Sequence, residues 1–132
     1  MAVFLNHTIV AAHDNQASAD FLAEILNLPT PKHWGPFVMV QTSNDVSLDY
    51  KKMTGTIHPQ HYAFLVSEAE FDESFKRIKD KNLSYWADPE QSKLGEINHW
   101  DGGRGVYFED PDGHLMEIIT RPYGDRKNRE KS

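Results

Sequence analysis

The stretch Gly105-Val106-Tyr107-Phe108-Glu109-Asp110-Pro111-Asp112-Gly113-His114-Leu115-Met116-Glu117 reads as two strands folded back on each other. Val106, Tyr107 and Phe108 are strand formers, Asp110-Pro111-Asp112-Gly113 is turn chemistry, and apolar residues resume at Leu115. The same pattern occurs earlier in the chain. Setting Asp49 over Glu117 lays residues 37–50 over 105–118 without a gap, pairing Val38 with Val106, Val40 with Phe108 and Leu48 with Met116. The matching turn is Thr42-Ser43-Asn44-Asp45.

A second alignment extends the repeat. With His7 over His61, Leu5-Asn6-His7-Thr8-Ile9-Val10 lies over Pro59-Gln60-His61-Tyr62-Ala63-Phe64, and both runs lead into helical patterns. Asp14 is placed to cap the first helix, whose apolar face is read as Ala17, Phe21, Ile25 and Leu26 or Leu28. Ser67-Glu68-Ala69-Glu70 has capping-box form before Phe71, Phe75 and Ile78. Phe21 and Phe75 each fall 14 residues after the aligned histidine. Each half therefore reads strand, helix, a weak strand (32–35 or 83–87), then a two-stranded hairpin. Residues 54–59 join the halves and 88–98 form a polar loop.

The predicted fold is α+β: paired βαβββ modules forming a curved, half-barrel mixed sheet around a concave cleft. Residues 1–122 form one domain, with modules at about 1–53 and 58–122. Residues 123–132 are expected to be a polar tail with too little apolar content to dock.

The composition narrows the function classes. The chain has 132 residues, no cysteine, 14 Lys+Arg and 20 Asp+Glu, for a formal charge of −6. Thiolate metal sites, disulfides and cysteine nucleophiles are excluded. The acidic balance argues against a nucleic-acid surface. No apolar run approaches the roughly 20 residues of a membrane span. Met1-Ala2-Val3-Phe4 lacks the basic start and apolar stretch of a signal peptide, so a cytoplasmic location is expected.

The repeat carries chemistry with it. His7 and His61 hold the same position on the first strand of each module, and Asp49 and Glu117 the same position on the last. Pseudo-twofold symmetry would let these side chains converge. Two imidazoles with a carboxylate suit Fe(II), Mn(II) or similar ions.

Leu5-Asn6-His7, His61-Tyr62-Ala63-Phe64 and residues 105–117, in that order, resemble the vicinal oxygen chelate superfamily. That group includes glyoxalases, bleomycin-resistance proteins, fosfomycin-resistance transferases and extradiol dioxygenases. The likeness runs to about Arg121. It implies a metal-dependent enzyme, either lyase/isomerase or ring-cleaving dioxygenase, acting on a small oxygen-bearing substrate. It places metal ligands at His7, His61 and Glu117, with Fe(II) or Mn(II) expected and Zn or Ni as further options. It implies a homodimer as well. At the fourth glyoxalase position this chain has Asp49, a shorter carboxylate than the family's Glu; it is a candidate substrate contact, its alternatives being a direct metal ligand, a ligand through water, or a carboxylate that only faces the cavity. The stretch Ile97-Asn98-His99-Trp100-Asp101-Gly102-Gly103-Arg104 lacks the Lys and Ser set of fosfomycin transferases.

Within that stretch His99 is a candidate acid or base near neutral pH, its alternative being an ordinary surface residue. Arg104 is a candidate fork for a substrate oxygen, its alternative a surface ion pair. Trp100 is a candidate wall of the cleft mouth, its alternative a place in a dimer interface. Tyr107 sits where relatives often place a phenol touching substrate, its alternative a packed ring with a hydrogen-bonded hydroxyl. The competing functional reading is a binding protein of the bleomycin-resistance type, which sequesters a small molecule without chemistry. A catalytically idle scaffold is a third.

Overall fold

The computed structural model describes residues 2–124. The chain is α+β and divides into two compact units, Met1–Pro59 with Asp110–Gly113, and Gln60–Glu109 with His114–Ser132. Each carries its own four-stranded mixed sheet and one helix.

In the first unit the sheet order is β1-β4-β3-β2, from β1 (His7–Ala12), β2 (Lys32–Trp34), β3 (Phe37–Gln41) and β4 (Ser47–Lys52). β1 runs parallel to β4, and the other pairs are antiparallel. Strand alternation sends Val10, Val38, Val40, Leu48 and Tyr50 into the core, on the side covered by α1 (Asn15–Leu26). Asp14 caps α1 by accepting the Ala17 amide at 3.0 Å, and Asn27 ends the helix in the left-handed conformation.

The buried stripe of α1 is rotated from the sequence expectation. It consists of Ser18, Ala19, Leu22, Ala23 and Ile25, while Ala17 is exposed and Phe21 half-buried. Small Ala19 and Ala23 permit close packing, and the Ser18 hydroxyl donates to Asp112 Oδ2 at 2.9 Å. Asp112 Oδ1 also accepts the His13 amide at 3.1 Å, so the turn at 110–113 is built into this unit.

The second unit repeats the plan with the order β5-β8-β7-β6, from β5 (His61–Leu65), β6 (Tyr85–Trp86), β7 (Gly105–Glu109) and β8 (Leu115–Ile119). Again the first and last strands are parallel. Helix α2 (Glu68–Asp80) starts with the predicted capping box, in which Ser67 and Glu70 bond each other's amides. It buries Phe71, Ser74 and Ile78, and Phe75 meets the Tyr85 ring edge-on at 5.0 Å. His114 is 1% exposed, and its Nδ1 accepts the Gln60 amide at the entrance to β5.

The predicted repeat appears in the register itself. Ile9 pairs with Asp49 in one sheet and Ala63 with Glu117 in the other. No helix among the described residues is long and apolar enough to cross a membrane.

Candidate metal and substrate site

Glu117 sits on β8 between Ala63 of β5 and Tyr107 of β7. His61 lies two residues before Ala63 and therefore shares its face of the sheet. Ala63 carries only a methyl group, which leaves the imidazole room to reach across. His61 Nε2 stands 2.9 Å from Glu117 Oε1. Glu117 is 1% exposed, whereas the His61 side chain is 45% exposed and open to solvent. A buried carboxylate needs partners to offset its lost hydration, and this one has several. Tyr123 donates its hydroxyl to Glu117 Oε2. Burial, then hydrogen bonds to Glu117 and Tyr123, push the Tyr107 phenol well above its ordinary range. Burial and Glu117 likewise push Tyr123 up to about 12. Both phenols thus remain protonated donors at neutral pH.

Trp100 closes the aromatic side of this cluster. It lies in a single 3-10 turn (Trp100–Gly102) and meets Tyr107 and Tyr123 edge-on at 6.3 and 5.4 Å between ring centres. The His61 and Tyr107 rings are 5.7 Å apart. Gly105 fits tightly here, because a Cβ on it would stand 2.8 Å from the Tyr123 hydroxyl.

Tyr123 falls in the segment that polar composition predicts to be tail. Its ring packs on Trp100, and the next residue, Gly124, donates its amide to Asp101 Oδ2 at 3.1 Å. Ordered chain therefore continues past 122, and the rest of the expected tail, 125–132, lies outside the described residues. The available signal was one aromatic residue, six positions after a strand carboxylate, in an otherwise polar segment.

The structure brings His61, Glu117, Tyr107 and Trp100 together. Arg104 it places elsewhere. The guanidinium bonds Glu68 Oε1 and Asp72 Oδ1, both at 2.8 Å, and lies 4.4 Å over the Phe71 ring. This is the ion-pair alternative noted from the sequence, made possible because α2 presents both acids on its first turns. His99 is exposed at the head of the 3-10 turn and makes no side-chain cap bond there.

In the first unit, His7 and Asp49 occupy the equivalent strand positions but do not bond each other. His7 is exposed, with Nδ1 2.7 Å from Asn6 Oδ1. Asp49 is 8% exposed and accepts the Ser47 hydroxyl at 2.5 Å. Two differences explain this. Aspartate is one methylene shorter than glutamate, and the bulkier Ile9 stands where the other sheet has Ala63. Among the described residues no three His, Asp or Glu side chains are grouped to hold a metal. His61 and Glu117 supply two donors of suitable type, one nitrogen and one carboxylate oxygen, directed at the same place.

Residues 4–118 match the sequence profile of the Glyoxalase/Bleomycin resistance protein/Dioxygenase superfamily. Among curated relatives, glutathione transferase FosA of Serratia marcescens is 32% identical over 121 residues, covering 86% of this chain and 78% of that protein. Two solved structures are much nearer. Oxidase ChaP-H1 is 62% identical with a TM-score of 0.92, covering 93% of this chain and 99% of its own. Oxidase ChaP-H2 is 63% identical with a TM-score of 0.92, covering 94% and 98%.

Proposed function

This chain belongs to the glyoxalase/bleomycin resistance/dioxygenase superfamily and is an enzyme of it, and from that premise we propose that it is a metal-dependent oxidase acting on a small oxygen-bearing substrate. The observation that carries the proposal is the His61–Glu117 pair, a nitrogen and a carboxylate oxygen brought together in a chain 62% and 63% identical to two oxidases. Fe(II) or Mn(II) is the proposed ion, held by His61 and Glu117 with His7 as third ligand. Bound there, it would stabilise negative charge on a substrate oxygen.

The chain's own residues then have distinct tasks. Tyr107 and Tyr123 keep the buried Glu117 carboxylate oriented by hydrogen-bonding it. Trp100, 43% exposed, offers an apolar edge to substrate. His99 is the proton-handling residue of this reading and Asp49 a substrate contact. A cytoplasmic homodimer is part of the proposal, with a second copy covering Val3, Phe4 and Leu5, which are 101%, 84% and 69% exposed.

A thiol-transfer reading rests on the likeness to FosA. The residues at 97–104 speak against it, because the Lys and Ser set of fosfomycin transferases is missing there.

The test begins with metal content of tag-free protein purified without chelator, for wild type and His61→Ala. Near-stoichiometric metal in the wild type, lost in the variant, is the expected result. Reconstituted protein is then given hydroxylated aromatic compounds while dissolved oxygen is followed, with glutathione conjugation run in parallel. Oxygen uptake dependent on Fe(II) or Mn(II) supports the oxidase, whereas conjugation without uptake would replace it with the transferase. Failure to bind Fe(II), Mn(II), Ni(II) or Zn(II) would remove the metal enzyme altogether and favour a binding protein.

A further inference from the structure

Besides its bond with Tyr107, Glu117 presents its two oxygens to different partners. Oε1 faces His61 Nε2 at 2.9 Å, and Oε2 accepts the Tyr123 hydroxyl. From this division we infer that Tyr123 is a positioning residue: it occupies Oε2 and so leaves Glu117 a single oxygen, Oε1, to offer a metal. The inference rests on the metal reading above.

Three further features show that the phenol's seat is built. A strand glycine costs roughly 0.5–1 kcal/mol relative to alanine, yet β7 opens with Gly105. That position admits the Tyr123 hydroxyl, because any Cβ would stand 2.8 Å from it and 2.8 Å from Asn98 Oδ1. Asn98, which lines the same notch, is 6% exposed and fixed by its amide donating to the Ala87 carbonyl at 2.8 Å. The ring is flanked by Trp100, and the backbone beyond it is tied to Asp101 through Gly124. Residues from the loop, β7, β8 and the chain beyond β8 thus converge on one hydroxyl.

The chemical effect follows from carboxylate geometry. A free carboxylate can give a metal one oxygen or two, and a second oxygen uses up a coordination position that substrate or dioxygen needs. A phenol donating to Oε2 commits that oxygen elsewhere and fixes the plane of the group. Outer partners of this kind are typically worth about 10–100-fold in metal affinity.

The decisive variant is Tyr123→Phe, which keeps the ring on Trp100 and deletes the hydroxyl, and with it the bonds to Glu117, Tyr107 and Asn98. Mn(II) is titrated into metal-free wild type and variant by calorimetry, and Co(II) into both while visible absorption is recorded. The expected result is a Kd for Mn(II) weaker by about 10–100-fold. In the same variant the Co(II) bands should weaken, as the second carboxylate oxygen joins and the coordination number rises. Thermal unfolding of both metal-free proteins is measured alongside, because a general loss of structure would not move the Co(II) spectrum of the folded fraction in this way. Unchanged affinity and unchanged Co(II) bands, in a wild type that binds both ions, would overturn the inference and leave the metal reading intact. A wild type that binds neither ion would overturn the metal reading and this inference with it.

Discussion

Replacing Gly105 with alanine puts a methyl group where two side chains already stand. The new Cβ would lie 2.8 Å from the Tyr123 hydroxyl and 2.8 and 2.9 Å from the Asn98 amide atoms, so both neighbours must move. Displacing Asn98 loosens its bond to the Ala87 carbonyl, a net loss of about 0.5–1.5 kcal/mol. Displacing Tyr123 loosens a hydrogen bond to a carboxylate, about 1.5–3 kcal/mol. Against these, alanine restricts the unfolded chain and returns about 0.4–1 kcal/mol, since φ at 105 is outside the left-handed region. The balance is a destabilisation of about 1–4 kcal/mol, or roughly 4–16 °C in Tm for a domain of this size. Urea and thermal unfolding followed by circular dichroism measure it. Gly113→Ala is the control: its φ is +86° with no atom within 4 Å of the added Cβ. That substitution costs about 1–2 kcal/mol of backbone strain and should leave metal affinity unchanged. A Gly105→Ala protein as stable as wild type, with undiminished metal affinity, would refute the reasoning that this glycine exists to seat Tyr123.

Other predictions concern the scaffold. Ser67→Ala removes the hydroxyl that accepts the Glu70 amide at 3.1 Å and should cost about 1 kcal/mol, seen as a lower urea midpoint with an unchanged m-value. Asp88 is held below its ordinary value of 3.8, first by the Ser92 hydroxyl and then by the Lys93 and Ser92 amides. A depressed carboxyl stabilises the fold fully above its unfolded pKa, and that contribution is lost as pH falls through the folded one. The Tm difference between wild type and Asp88→Asn should therefore be constant near neutral pH and shrink below about pH 4. A difference that stays the same across the acid range would show that the Asp88 charge plays no such part.

The repeat was legible because its signals are local. Alternation along a strand, a turn sequence and a capping box each occupy a few residues, and two gapless alignments sufficed to predict that His7 and His61, or Asp49 and Glu117, share register. The pair His61–Glu117 was legible for the same reason. What escaped was decided at a distance. The stripe of α1 that is buried depends on Ser18 meeting Asp112, which lies 94 positions away. Arg104 is drawn to Glu68 and Asp72 by the course of α2, and no spacing in the sequence announces a pairing of residues more than 30 positions apart. Tyr123 looked like tail because polar composition governs docking on average. One phenol with a carboxylate to meet and a glycine notch to enter is outside that average.

The turn at Asp110–Gly113 has a consequence for the order in which the chain matures. Residues 2–59 are synthesised before residues 60–124, with α1 and all four strands of their sheet complete. Yet Asp112, which receives the Ser18 hydroxyl and the His13 amide, is not yet made. The earlier module therefore waits for a turn that lies within the later one, and Ser18 lacks its Asp112 partner in the meantime. Such long-range closure slows folding relative to a chain of self-contained repeats. It also means that cutting this gene product between its two modules would not yield two equal halves, because the earlier half would lack part of its own wall.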